Sequence, residues 1–172
     1  MVTFKDFIDY FKDLAHRHSE IEHDVNNRRS FFNVDLIDIA AGLKSGIQKD
    51  KFTMILVNYN SILNEIKPGE KDINFFIVKD QKKGNMDANV EIRSNAEVIA
   101  HEIIAKIKEE STQFPRNPIL SEMFRGSMDK IQDVHIIHTE IYSGAQKLIG
   151  VQCSFTNKFN YCPTIRPNIF NS

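Results

Sequence analysis

The sequence predicts an α+β fold in two layers, with helices packed on one antiparallel or mixed sheet of about four strands. Three observations carry this. A strong amphipathic helix lies at 94–110. Two apolar runs precede it, at 52–59 and 73–78. Two strand patterns follow it, at 134–142 and 148–159. The strands come in consecutive pairs instead of alternating with helices, so hairpins are expected in place of βαβ units. The predicted order is α-α-β-β-α-β-β.

The 94–110 helix is the element the rest is arranged around. Ser94 with Glu97 spells a capping box. Ala96, Ile99, Ala100, Ile103 and Ile107 form one apolar stripe. Lys106 and Lys108 stand near the negative helix end.

Ahead of it, residues 3–23 read as a long amphipathic helix. Phe4, Phe7, Ile8, Phe11, Leu14, Ala15, His18 and Ile21 recur at helical spacing. This stripe can dock on a sheet or on a second subunit. Asn26 to Ser30 breaks the pattern and Phe31-Phe32 follows. Asn33 can then cap a short second helix at 35–44, ended by Gly42 and Gly46. The runs 52–59 and 73–78 read as strands buried on both faces. Lys67-Pro68-Gly69-Glu70 is a turn, and 79–89 is a polar connection.

After the central helix, 111–130 is an apolar insertion for which Pro118 can open a short helix. In the strand at 148–159, Ile149, Val151, Cys153, Phe155 and Phe159 alternate with Gly150, Gln152, Ser154, Thr156 and Lys158. That predicts one buried and one wet face in an antiparallel pair. The tail, 160–172, carries Pro163 and Pro167 and is expected to be extended.

At 172 residues the chain is read as one domain: a helical region over 1–50, the sheet and central helix over 51–159, and the tail. A formal net charge of −1 argues against a dedicated nucleic-acid binder. The charged N-terminus lacks the apolar core of a signal peptide. No apolar run approaches the roughly 18 residues of a membrane span. A cytoplasmic protein with no membrane partner is expected. Two cysteines, Cys153 and Cys162, make no disulfide framework.

Signs of chemistry are sparse. His101-Glu102 opens like the zincin pattern, but Ala105 stands where the second histidine belongs. Asp13, His16, Glu20, His23 and Asp24 would share one face of the first helix. Glu20-x-x-His23 is half of a di-iron motif that must occur twice. His135 and His138 would face opposite sides of a strand. No nucleophile elbow or phosphate-binding glycine cluster is present. Arg28-Arg29 beside Phe31-Phe32, and Lys79 with Lys82-Lys83, are the basic groups able to touch phosphate. No catalytic residue, cofactor or metal ligand is therefore assigned.

The segment FKDLAHRHSEIEHD, Phe11 to Asp24, followed by Phe31-Phe32, resembles the start of small tail-completion or neck proteins of tailed phages and prophages. A mid-chain helix, a hairpin with Gly150-Val151 and a closing aromatic strand extend the resemblance in element order. It implies a non-enzymatic α+β subunit of a ring, built into a virion-like particle beside other assembly proteins. The 111–130 insertion departs from it. The expectation is a homo-oligomeric structural protein with Phe4, Phe7, Phe11, Phe114, Leu120, Met123, Phe124, Ile165, Ile169 and Phe170 at interfaces. The alternative is a small metal protein or hydrolase using the His16/Glu20/His23 face.

Overall fold

The computed structural model describes residues 4–26, 29–34, 50–57, 70–112, 131–143 and 146–158. The predicted second helix, the insertion from residue 113 on and the tail lie outside them, as do Phe114, Leu120, Met123, Phe124, Cys162, Ile165, Ile169, Phe170 and the side chain of Phe4.

The class is α+β, as predicted. The described elements are α1 (Phe4–Arg17), β1 (Phe31–Val34), β2 (Thr53–Val57), β3 (Glu70–Asp80), α2 (Met86–Thr112), β4 (Ile131–Ser143) and β5 (Gln146–Lys158). They build one five-stranded mixed sheet in the order β1-β2-β3-β5-β4. Only the β1–β2 pairing is parallel.

β1 is a strand that the pattern reading missed. Phe31 pairs with Met54 and Asn33 with Leu56. Asn33 therefore sits inside a strand, and the helix predicted to follow it at 35–44 lies outside the described residues. Four residues are too few to show alternation, and the partner strand lies far along the chain.

The first helix is also shorter than its stripe suggests. α1 ends at Arg17, and the chain turns back through Glu22, whose φ is 47°. The tertiary contacts supply the reason. The Phe52 N–H donates to the Glu20 carbonyl at 3.0 Å. Ser30 donates its hydroxyl to the Ile21 carbonyl at 2.7 Å. These bonds tie the turn to the start of β1 and β2, while Ile21 stays fully buried.

The central helix starts earlier than predicted. It spans 27 residues from Met86, which leaves Ser94 in the helix interior. The true cap is Asn85, whose Oδ1 accepts the Ala88 N–H at 3.0 Å. An Asn at that position satisfies one of the unpaired first-turn donors. Asn89 then fastens the connection, accepting from Lys82 N and donating to Lys82 O.

Both helices lie on one face of the sheet. Their side chains Phe7, Phe11, Leu14, Ile92, Ile99, Ile103 and Ile107 share a core with Phe75, Ile77, Val151, Cys153 and Phe155. Phe11 is 1% exposed and its ring centroid lies 6.0 Å from that of Phe75. Phe7 and Phe11, expected at a subunit interface, are thus used inside the chain's own core. The opposite sheet face carries a second apolar cluster: Phe32, Ile55, Val57, Phe76, Val78, Ile141 and Leu148. That face turns polar toward Asn74, Gln152, Ser154 and Thr156, which are half-buried. Within β5, Ile149, Val151, Cys153 and Phe155 are buried as alternation predicts, but Gly150 and Leu148 are buried on the other side. Among the described residues no helix is long and apolar enough to cross a membrane.

Candidate functional site: the cleft beside the end of the first helix

The carboxylate–histidine face predicted for the first helix exists, in altered form. An open cleft of about 420 Å³ is lined by Asp9, Lys12, Asp13, His16, His23, Asp24, Val25 and Asn26. Asp9, Asp13 and His16 reach it from successive turns of α1. His23 and Asp24 come to it from the returning chain, since the helix has already ended. Glu20 is exposed and does not line it. The turn after Arg17 rotates Glu20 away from the position a continuous helix would give it.

The imidazole nitrogens define what the cleft can do. His16 Nδ1 lies 2.6 Å from the His23 carbonyl oxygen. A carbonyl only accepts, so His16 Nδ1 carries the proton and donates. His23 Nδ1 accepts the Ser30 backbone N–H at 3.2 Å. His23 is 4% exposed, and its ring stands 5.8 Å from that of Phe31. Both Nδ1 atoms are therefore committed to holding the turn together.

The carboxylates are similarly engaged. Asp9 pairs with Lys5, and Asp13 with Arg17 Nε at 2.8 Å. Asp24 Oδ1 accepts the Asn26 N–H at 2.8 Å, closing a local turn. Among the described residues no group of three or more His, Cys, Asp or Glu is arranged to hold a metal ion.

Next to the cleft a polar clasp joins the two helices. Glu110 of α2 receives Arg17 Nη1 at 2.7 Å and the Tyr10 hydroxyl at 3.0 Å. Burial alone would raise the Glu110 carboxyl. The hydrogen bonds from Arg17 and Tyr10, with the charges of Arg17 and Lys106, outweigh it and set it below its ordinary value. Burial, followed by the charge and hydrogen bond of Glu110, pushes the Tyr10 hydroxyl well above its usual range. About two turns earlier along α2, Glu102 lies 3.0 Å from His18 Nε2, while His18 Nδ1 accepts the Glu20 N–H.

The remaining sequence candidates are dispersed. His101 is exposed on α2. His135 pairs with Ser154 and His138 with Val151, with no irregularity between them, so they face opposite sides of the sheet. Burial pushes the Cys153 thiol up to about 12, which leaves it protonated and inert. Lys79 lies over the Phe52 ring and donates to the Asp50 carbonyl. Arg29 lies over the Phe32 ring at 5.4 Å. Arg28 lies outside the described residues.

The surface feature that sequence reading passed over is the outer strand. β4 is thirteen residues long and, among the described residues, is the last strand on its side of the sheet. Ile137 and Tyr142 on it are 57% and 61% exposed. The signal was present in its length and in its apolar residues on both faces.

No protein-family model, no curated protein and no solved structure matches the chain.

Proposed function

We propose that the chain is a non-enzymatic structural subunit that acts in a homo-oligomeric assembly, of the kind formed by tail-completion and neck components of tailed phages and prophages. The supporting observation is the long outer strand β4, which presents Ile137 and Tyr142 to solvent. Exposed apolar side chains along a sheet edge suit association with another protein surface. The cleft at His16 suits a structural role, because its histidines and carboxylates hold the turn between α1 and β1.

Light scattering on the purified chain tests this reading. A mass of two or more times 19.9 kDa is expected. A monomer across the whole soluble concentration range overturns it. Elemental analysis is the companion measurement: one zinc or iron per chain, lost in His16→Ala, would move the function to the cleft.

A further inference from the structure

We propose that β4 is the assembly edge and that it takes a second copy of itself, antiparallel, about a two-fold axis passing at Thr139. The inference rests on the homo-oligomer reading above and names its interface.

A sheet edge exposes a row of backbone donors and acceptors, and the partner it fits is another extended strand. The sheet has two edges among the described residues. β1 is four residues long and pairs in parallel, which makes it a poor template. β4 is thirteen residues long.

Natural edges are protected by bulges and by charge. β4 has one bulge, between Gln132 and His135, where Asp133 has φ 52°. It adds one residue to β4 against β5 and bends the strand there. The bulge lies near the start of β4 and leaves His135 to Ser143 in unbroken register with β5. In that stretch Glu140 is the single carboxylate, and its charge is matched within the chain by Arg93 at 2.6 Å and Lys147 at 2.7 Å.

The regular stretch is complementary to itself. Thr139 is its midpoint. A two-fold axis there sets Thr139 against Thr139 of the second copy, and sets His138 against the second copy's Glu140, twice by symmetry. On the same basis Ile137 meets Ile141 and Ile136 meets Tyr142. Side chains of equal parity share a face, so each pair meets on one side of the joined sheet. Apolar and aromatic–aliphatic cross-strand pairs stabilise sheets, and an imidazole N–H can donate to a carboxylate. Moving the axis to His138 sets Ile136 against Glu140, and moving it to Glu140 sets two carboxylates directly opposite, which is destabilising. The match of apolar with apolar residues, and of the Glu140 carboxylate with the His138 imidazole, therefore selects both the occupant and its register. The pairing joins two five-stranded sheets edge to edge, and an interface of this type closes on itself.

Two variants of the full chain test the proposal. Ile137→Lys places a cation opposite Ile141 of the second copy, at a side chain already 57% exposed. It should weaken dimerisation by roughly tenfold or more and leave the circular dichroism spectrum unchanged. Thr139→Cys, in a Cys162→Ser background, should form an intermolecular disulfide under mild oxidation. His135→Cys in the same background should not, because its own copy would lie eight positions away.

A wild-type mass that is an even multiple of the chain, halved in Ile137→Lys, with the Thr139→Cys cross-link, supports the pairing. A wild-type oligomer unchanged by Ile137→Lys and without the cross-link overturns the β4 interface and leaves the assembly reading standing. A wild-type monomer overturns both. If Ile137→Lys fails to fold, the cross-link alone decides.

Discussion

Gly150 of β5 lies so close to the Ile77 carbonyl of β3 that a Cβ on residue 150 would sit 2.0 Å from that oxygen and 2.9 Å from Val78 Cα. The obstacle is backbone, at the third pair from one end of the unbroken β3–β5 register. Gly150→Ala must push β3 and β5 apart. Overpacking of this kind costs roughly 1–3 kcal/mol and at times more. Urea denaturation should show a lowered midpoint at an unchanged slope, and an unchanged midpoint would refute the close approach.

Glu110→Gln should weaken the clasp between the helices. Hydrogen bonds to charged groups contribute about 1.5–3 kcal/mol, and the Glu110 side chain is 15% exposed. The effect should depend on pH with a definite sign. The folded carboxyl titrates below its ordinary value, so its stabilisation is present above the unfolded carboxylate range. It is lost as pH falls through the depressed folded value. Wild type should exceed Glu110→Gln in melting temperature at neutral pH, and the gap should close in acid. A gap independent of pH would count against the charged clasp.

Phe11→Ala should act as a core deletion. The ring packs against Phe7, Tyr10 and Phe75, and loss of a buried Phe costs about 3–5 kcal/mol. Calorimetry should show the loss, with light scattering reporting an unchanged mass for whatever fraction remains folded. A changed mass at unchanged stability would return Phe11 to an interface role.

Asn85→Ala and Ser94→Ala separate the two candidate starts of α2. The first removes the bond to the Ala88 N–H and should cost about 1 kcal/mol. The second alters an exposed mid-helix site, where Ala is the better helix former, and should be neutral or mildly stabilising. The reverse ranking in thermal melts would restore Ser94 as the cap.

Much of the fold is legible in the sequence where patterns are long and local. Alternation in β5 and the apolar runs of β2 and β3 mark the sheet, and the stripe from Ala96 to Ile107 marks the body of α2. What sequence hides is decided elsewhere in the chain. Nothing in Phe31-Phe32-Asn33-Val34 announces a strand until Met54 to Val57 lie beside it. The stripe of α1 runs on through Ile21, yet bonds from Phe52 and Ser30 turn the chain there. The first two turns of α2 carry exposed Met86 and Val90, so apolar periodicity starts late and Ser94 looks like a beginning. The cleft was half visible. Asp13 and His16 follow from helical spacing, whereas His23 and Asp24 arrive through the turn that removes Glu20.

The sheet order also sets a schedule for synthesis. β3 is central because β2 flanks it on one side and β5 on the other. β5 leaves the ribosome only after α2 and β4 have been made. Until then Ile73, Phe75 and Ile77 have no strand on that side to complete their layer. β4 and β5 meet through a two-residue link between Ser143 and Gln146, so this hairpin can close quickly. The early half of the chain must wait with its apolar strands uncovered for the late half to arrive. A nascent chain stopped short of Gln146 should therefore be protease-sensitive throughout, and protection should appear in a single step once β5 is free to insert.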